Sequence, residues 1–290
     1  MADLLPPDTL RNVRVGVSAS SSPDLARLGL MEEHFRLALG ELARTVLVLG
    51  GTLQYCGHLD PSGYTIFLIS ELKRYGRRDD PLSIVFAWSV HRRLRLGDLH
   101  RVQNDLGLLG RITCLDPSGA VVDFAANRED PAPGLPDHEV APSLTAMRRI
   151  AIRETQGRLF IGARRSGYQG VMPGVLEEAL LAIVAAQPIF LTGGFGGVTH
   201  DIVRTVNAEA AAWLPVDSGQ VADAGWQSGI EALSQAIAGR GWTALSNGLD
   251  EAENIRLAAT HRPSEIAALV GLGLGRLARS GIFTNGSAQS

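Results

Sequence analysis

Two adjacent carboxylates, Glu177 and Glu178, follow Pro173-Gly174 at the head of an apolar stretch. Pro-Gly makes a turn, and the two acids then fall in the first turn of a helix, where the dipole favours negative charge. They form either an ordinary charged helix start or a pair in which one acid faces a ligand, as a base or as a stabiliser of positive charge. Ser18, Ser20, Ser21 and Ser22 close a β-branched run. Hydroxyls and amides ahead of a helix can hold an anion; equally, Ser22 can cap that helix. Gly193-Gly194-Phe195-Gly196-Gly197 closes another apolar run and leads into a helix. Such a turn lets backbone amides approach a phosphate, or it is only a tight turn. It is not a dinucleotide fingerprint or a P-loop, because no Lys-Ser/Thr follows. Arg148, Arg149, Arg153, Arg158, Arg164 and Arg165 form a loose cationic group. Arginine binds phosphate through a planar fork of donors, but most of the six read as a solvated face. Arg148 and Arg149 lie beside the apolar positions Leu144, Met147, Ile150 and Ala151, so one of the two borders that face. His58 and His200 adjoin candidate ligand loops, and Cys56 ends a strand; all three are commoner as structural residues. The histidines are dispersed, so no metal site is expected.

The elements that would position these groups alternate. Strands read at 14–18, 52–55, 83–88, 110–115, 158–163 and 188–192 as short β-branched or apolar runs. An apolar stripe from Leu25 to Val46, closed by Gly50-Gly51, predicts a helix. Further helices are expected at 63–75, 144–156, 173–186 and 196–213. Residues 127–143, rich in proline and acid, read as a loop. This alternation predicts an α/β fold: a doubly wound, mostly parallel Rossmann-like sheet with helices on both faces. The last eighty residues carry helical pattern only, with a turn at 245–250 and helices at 251–260 and 264–279. They are expected as a C-terminal helical extension packed on the same domain. The organisation reads as a tail at 1–12, a ligand-binding domain at 13–207 and the extension at 208–290, with a frayed end at 281–290. In such sheets ligands bind beyond the carboxyl ends of the strands, at a topological switch point. The serine run and the four-glycine turn are therefore expected to converge on one ligand.

Composition sets outer limits. The 290 residues allow one large domain or two small ones. A 45% hydrophobic and 20% charged content excludes disorder over most of the chain. A net charge of −3 gives no basic field for nucleic acid. Lys73 is the only lysine among 27 basic residues, which looks like coding bias, so raw arginine counts carry little weight. The two cysteines, Cys56 and Cys114, make no CxxC pair. No signal peptide or membrane-length apolar run is visible, so a cytoplasmic protein with no membrane partner is expected.

Taken in order, the loops are similar to a known pattern. The chain resembles the SLOG superfamily, the Rossmann-like fold shared by LOG "lysine decarboxylase-like" phosphoribohydrolases and DprA/SMF proteins. It also resembles the nucleotide-sensing domains of TRPM channels and some bacterial antiphage proteins. The resemblance rests on VGVSASSS, on GGTLQYCGH with Gly57 and His58, on Met147-Arg148-Arg149 ahead of RLFIGA, on Pro173-Gly174-Val175-Leu176-Glu177-Glu178 and on QPIFLTGGFGG. It covers about residues 13–207. The P-G-G-x-G-T-x-x-E signature lacks its x-G-T segment here, and ARRSGYQGVM lengthens the loop before Pro173. The resemblance implies Glu178, with Glu177 second, and Arg148 or Arg149 as the catalytic pair. It implies nucleotide contacts from Ser18, Ser20, Ser21, Ser22, Gly57, His58, Pro173 and Gly174, with Gly193, Gly194, Phe195, Gly196 and Gly197 supplying phosphate amides in place of the lost segment.

Three functions follow as expectations. The leading one is a sensor that binds a ribonucleotide, such as an NAD-derived ADP-ribose species, in a setting like antiphage defence. The second is an enzyme cleaving a nucleotide N-glycosidic bond, with Glu178 stabilising an oxocarbenium-like ribose. The third is a structural subunit that kept the fold without the ligand. No cofactor is expected beyond the nucleotide itself. Family analogy implies a homodimer or higher oligomer around the signature helix and an effector partner such as a TIR domain.

Overall fold

The computed structural model describes residues 5–60, 63–75, 79–126, 130, 135–215 and 223–283. In chain order the elements are β1 (Arg14–Ser20), α1 (Glu32–Val48), β2 (Thr52–Cys56), α2 (Tyr64–Tyr75), β3 (Leu82–Phe86), α3 (Trp88–His91), α4 (Leu96–Leu106), β4 (Gly110–Leu115), β5 (Val121–Val122), α5 (Asp137–Arg153), β6 (Gly157–Gly162), α6 (Gly174–Val184), β7 (Ile189–Thr192), α7 (Gly197–Val206), α8 (Ala224–Ile237), α9 (Glu251–Ala259) and α10 (Pro263–Arg279). The seven-stranded sheet runs β5-β4-β3-β2-β1-β6-β7, and every pairing except β4 with β5 is parallel. The chain winds outward from β1 to β4, then returns to the other side of β1. The switch point therefore lies between β1 and β6, and the fold is the doubly wound α/β class.

Alternate strand residues feed two layers. Val15, Val17, Leu159, Ile161 and Phe190 join a core that includes α1, α2 and α10. Phe160, Ile189 and Leu191 join another with α6, α7 and α8. Both faces of the central strands are thus covered, as a parallel sheet requires.

Several boundaries differ from those read in the sequence. The 127–143 loop gives way to helix at Asp137. Pro136 occupies the cap position and Pro142 lies on the exposed side, so proline costs the early helix little. Of that loop, 127–129 and 131–134 lie outside the described residues, as do 1–4 of the tail and 284–290 of the frayed end. The stripe beginning at Leu25 is interrupted: Ala26–Leu28 is a 3-10 turn, Gly29 has φ +66°, and α1 starts only at Glu32. The helix expected through Trp213 stops at Val206, because Asn207 is extended. Helix α4 carries its buried residues Leu99, Val102 and Leu106 at short helical spacing.

The four-glycine turn is closely packed. A Cβ on Gly194 would lie 2.0 Å from the Thr260 carbonyl oxygen, and one on Gly193 would lie 2.6 Å from that of Ala258. The last turn of α9 thus rests directly on the turn after β7. Gly194→Ala should lower stability by about 1–3 kcal/mol in urea denaturation, because rigid backbone must move; an unchanged midpoint would show that α9 does not sit there.

Candidate functional site

A cavity of about 620 Å³ opens at the carboxyl ends of β1, β2 and β6. That volume suits a small-molecule ligand. Ser18, Ser20 and Ser21 line it from β1 and the following loop, Gly57 and His58 from the end of β2, Arg148 from α5, and Gly174 and Glu178 from α6. The loop between β6 and α6 adds Arg164, Ser166 and Tyr168. Gly57 is needed there, since a Cβ would meet the Tyr55 ring at 2.4 Å.

The cavity floor is ionic. Glu178 is buried and accepts hydrogen bonds through Oε2 from Ser18 Oγ and from Arg158 Nη1, the latter at 2.8 Å. Arg158 is fully buried, and its Nη1 also donates to Ser18 Oγ at 3.2 Å. The guanidinium fits only because Gly16 stands opposite on β1; a Cβ there would lie 2.6 Å from Arg158 Cζ. Beside this pair, buried Arg148 donates from Nη1 to Glu177 Oε2, and Thr145 Oγ1 donates to Glu177 Oε1 at 2.5 Å. Arg148 Nε lies 3.9 Å from Glu178 Oε1 and has no hydrogen-bond acceptor. Two acids and two arginines therefore balance each other under the amino end of α6. Burial, and then Glu178, push the Cys56 thiol at the cavity wall up to about 12, so it stays a neutral wall residue.

Of the two arginines left open by the sequence, Arg148 faces the site and Arg149 is exposed to solvent. Glu178 reaches the cavity, whereas Glu177 is spent on Arg148 and Thr145. Pro173 is the buried residue ahead of α6 and is not part of the wall. Ser22 is buried and accepts from the Asp24 amide at 3.2 Å, so it shapes its own turn and neither caps α1 nor reaches the cavity. His200 is buried against the Ala211 carbonyl and does not line the cavity.

The glycine turn requires the main correction. Gly193 through Gly197 are all buried and none lines the cavity. The amide of Gly197, first residue of α7, donates to Asp24 Oδ2 at 2.7 Å. Arg165 then clamps Asp24 at 2.9 Å and Asp201 at 2.7 Å. The anion position at this helix start is filled by the chain's own carboxylate. The expected convergence of the serine run and the glycine turn on one ligand therefore fails; the cavity joins the carboxyl ends of β1, β2 and β6 instead. Asp24 is the residue that sequence reasoning missed, and Arg158, although one of the six arginines of the cationic group, was not singled out from it. For Arg158 the signal was a charged residue inside an apolar strand with glycine as its neighbour.

Among the described residues no cluster of His, Cys, Asp or Glu could hold a metal. No described helix is long and apolar enough to cross a membrane.

Fold and cavity together define a doubly wound α/β protein with a crevice at its switch point. A model of the SLOG cluster2 family matches residues 9–257, and the chain belongs to that family. The match runs through α8 and into α9, well past residue 207, and membership points to a nucleotide-related function. No curated protein matches the chain.

Arg158→Met should cost about 3–5 kcal/mol, because Glu178 keeps its burial and loses its counter-ion. Adding Glu178→Gln should restore part of that loss in a double-mutant cycle; strict additivity would refute the coupling. Burial raises the Asp24 carboxyl, but Arg165, the Gly197 amide and Arg27 outweigh it and hold it below its ordinary 3.8. A lowered folded value stabilises the fold above the unfolded pKa and is lost as pH falls through the folded one. Asp24→Asn should therefore flatten the loss of stability below about pH 4. Parallel wild-type and variant profiles would show that the ion pair contributes nothing.

Proposed function

We propose that the chain is a sensor-type binder of a ribonucleotide, with an NAD-derived species such as ADP-ribose the foremost candidate. The observation that carries this reading is the switch-point cavity, in which buried Glu178 and the Ser18–Ser21 hydroxyls share one wall. A carboxylate beside hydroxyls suits the diol of a ribose. The phosphate is assigned to Ser20, Ser21 and Arg164, which is exposed on the cavity wall and has no ion pair among the described residues. The start of α6 adds unspent amides, since no side chain caps it. Binding would shift an assembly equilibrium through unequal affinity for two states, with a second copy of the chain or an effector such as a TIR domain as the partner. Antiphage defence is the setting that the resemblance supports.

Cleavage of an N-glycosidic bond is the second reading, favoured by Arg148 Nε close to Glu178 Oε1 at the cavity wall. There Glu178 would stabilise a cationic ribose, as carboxylates do in glycoside hydrolysis. The sensor reading is preferred because Glu178 Oε2 is already committed to Ser18 and Arg158.

Mass spectrometry of ligands carried through purification, followed by thermal denaturation with NAD, ADP-ribose and AMP, tests this. At 100 times its Kd one of them should add about 2.7 kcal/mol of stability and emerge unchanged. Glu178→Gln should weaken that effect while the protein stays folded. A product that disappears in the variant establishes the enzyme, and no stabilisation by any nucleotide removes both readings.

A further inference from the structure

A second cavity, of about 340 Å³, lies toward the opposite, amino end of the strands. Arg14 of β1, Ser83 of β3, Arg111 and Thr113 of β4, Phe124 beyond β5 and Glu154 at the end of α5 line it. It shares none of the first cavity's wall.

Its polar groups have hydrogen-bonding capacity to spare. Ser83 is only 6% exposed, yet its hydroxyl makes no hydrogen bond among the described residues. The Thr113 hydroxyl and the Arg14 guanidinium have no partner among them either. Gln54, in register with Ser83, has a buried Oε1 without a donor. Its Nε2 donates to Glu154 Oε2 at 2.9 Å, leaving Glu154 Oε1 with no hydrogen bond. Of these atoms only Gln54 Oε1 is sealed from water; the Ser83, Thr113, Arg14 and Glu154 groups reach the cavity and are open to a guest. Charge narrows the choice. Arg111 is offset by Asp80 at 3.0 Å, which leaves the Arg14 cation and the Glu154 anion facing one space. A dianionic phosphate would meet an unfavourable carboxylate there, whereas a molecule carrying both signs meets both partners.

We propose that this cavity binds a small zwitterion of the α-amino-acid class. The carboxylate takes the Arg14 guanidinium and the Ser83 and Thr113 hydroxyls. The ammonium donates to Glu154, and the side chain lies against Phe124. This site is independent of the nucleotide reading, because it uses other residues at the other end of the sheet.

Amide spectra of the full chain, titrated with an equimolar mixture of the twenty amino acids and then with each alone, test the proposal. Shifts should appear at Ser83, Thr113, Phe124 and Glu154, and not at Ser18 or Gly174. Arg14→Ala and Glu154→Gln should each weaken binding at least tenfold, as loss of a charge-assisted hydrogen bond does. Should Arg14→Ala fail to fold, Arg14→Lys reads the same contact with the charge kept and is expected to bind more weakly than wild type. No shift with any amino acid at about 10 mM would overturn the proposal, since that excludes even millimolar affinity. So would shifts that survive both substitutions, or equal binding of acetate or inorganic phosphate. Failure of every nucleotide to bind would leave these outcomes unaltered.

Discussion

The ion set beneath α6 is the constraint around which the rest is arranged. Glu177, Glu178, Arg148 and Arg158 share a volume that a parallel sheet would ordinarily fill with hydrocarbon. Taking four charges from water costs several kcal/mol each, and attraction offsets this only with close geometry and further hydrogen bonds. The further bonds come from Ser18, Thr145 and Thr155. Space comes from Gly16 and Gly174, whose missing side chains admit the two guanidinium groups. Well-packed apolar residues would stabilise such a core as well or better, so stability alone is a poor reason to retain it. What the charges accomplish is positional: Glu178 is held at the cavity wall by partners that are themselves fixed on β1 and β6. A guest need not spend binding energy on ordering it.

The C-terminal helices belong to the same arrangement. Tyr168, on the cavity wall, donates its hydroxyl to Asp223, which also caps the first turn of α8. Gly225 and Gly229 occupy one face of that helix and let it approach Tyr168 and Leu176 closely. Trp226 reaches Asp201, the partner of Arg165. The wall of the crevice and the outer helical layer are thus joined by direct contacts.

Much of this was legible in the residues. The strands at RVGVS and RLFIGA announce themselves because a strand covered on both faces is largely apolar, and GRITCL because it alternates as a strand covered on one face does. Glu178 was legible because a Pro-Gly turn fixes where the helix begins. The four-glycine turn misled, since its composition is the same whether a phosphate or a backbone approaches it. What decides is Asp24, about 170 positions away in the chain, and no local pattern reveals such a contact. Arg149 and Arg148 are indistinguishable by type; only the helix phase against the sheet separates them. The acid- and proline-rich stretch before α5 looked irregular because composition weighs every proline alike, although proline disrupts a helix far less near its start.

Helices α6 and α7 follow neighbouring strands, but of the two only α6 begins at the cavity wall. The amino end of α7 is neutralised by Asp24, whereas that of α6 has no side-chain cap. Loss of the Asp24 carboxylate would therefore leave the α7 pole without its anion, among residues that do not line the cavity.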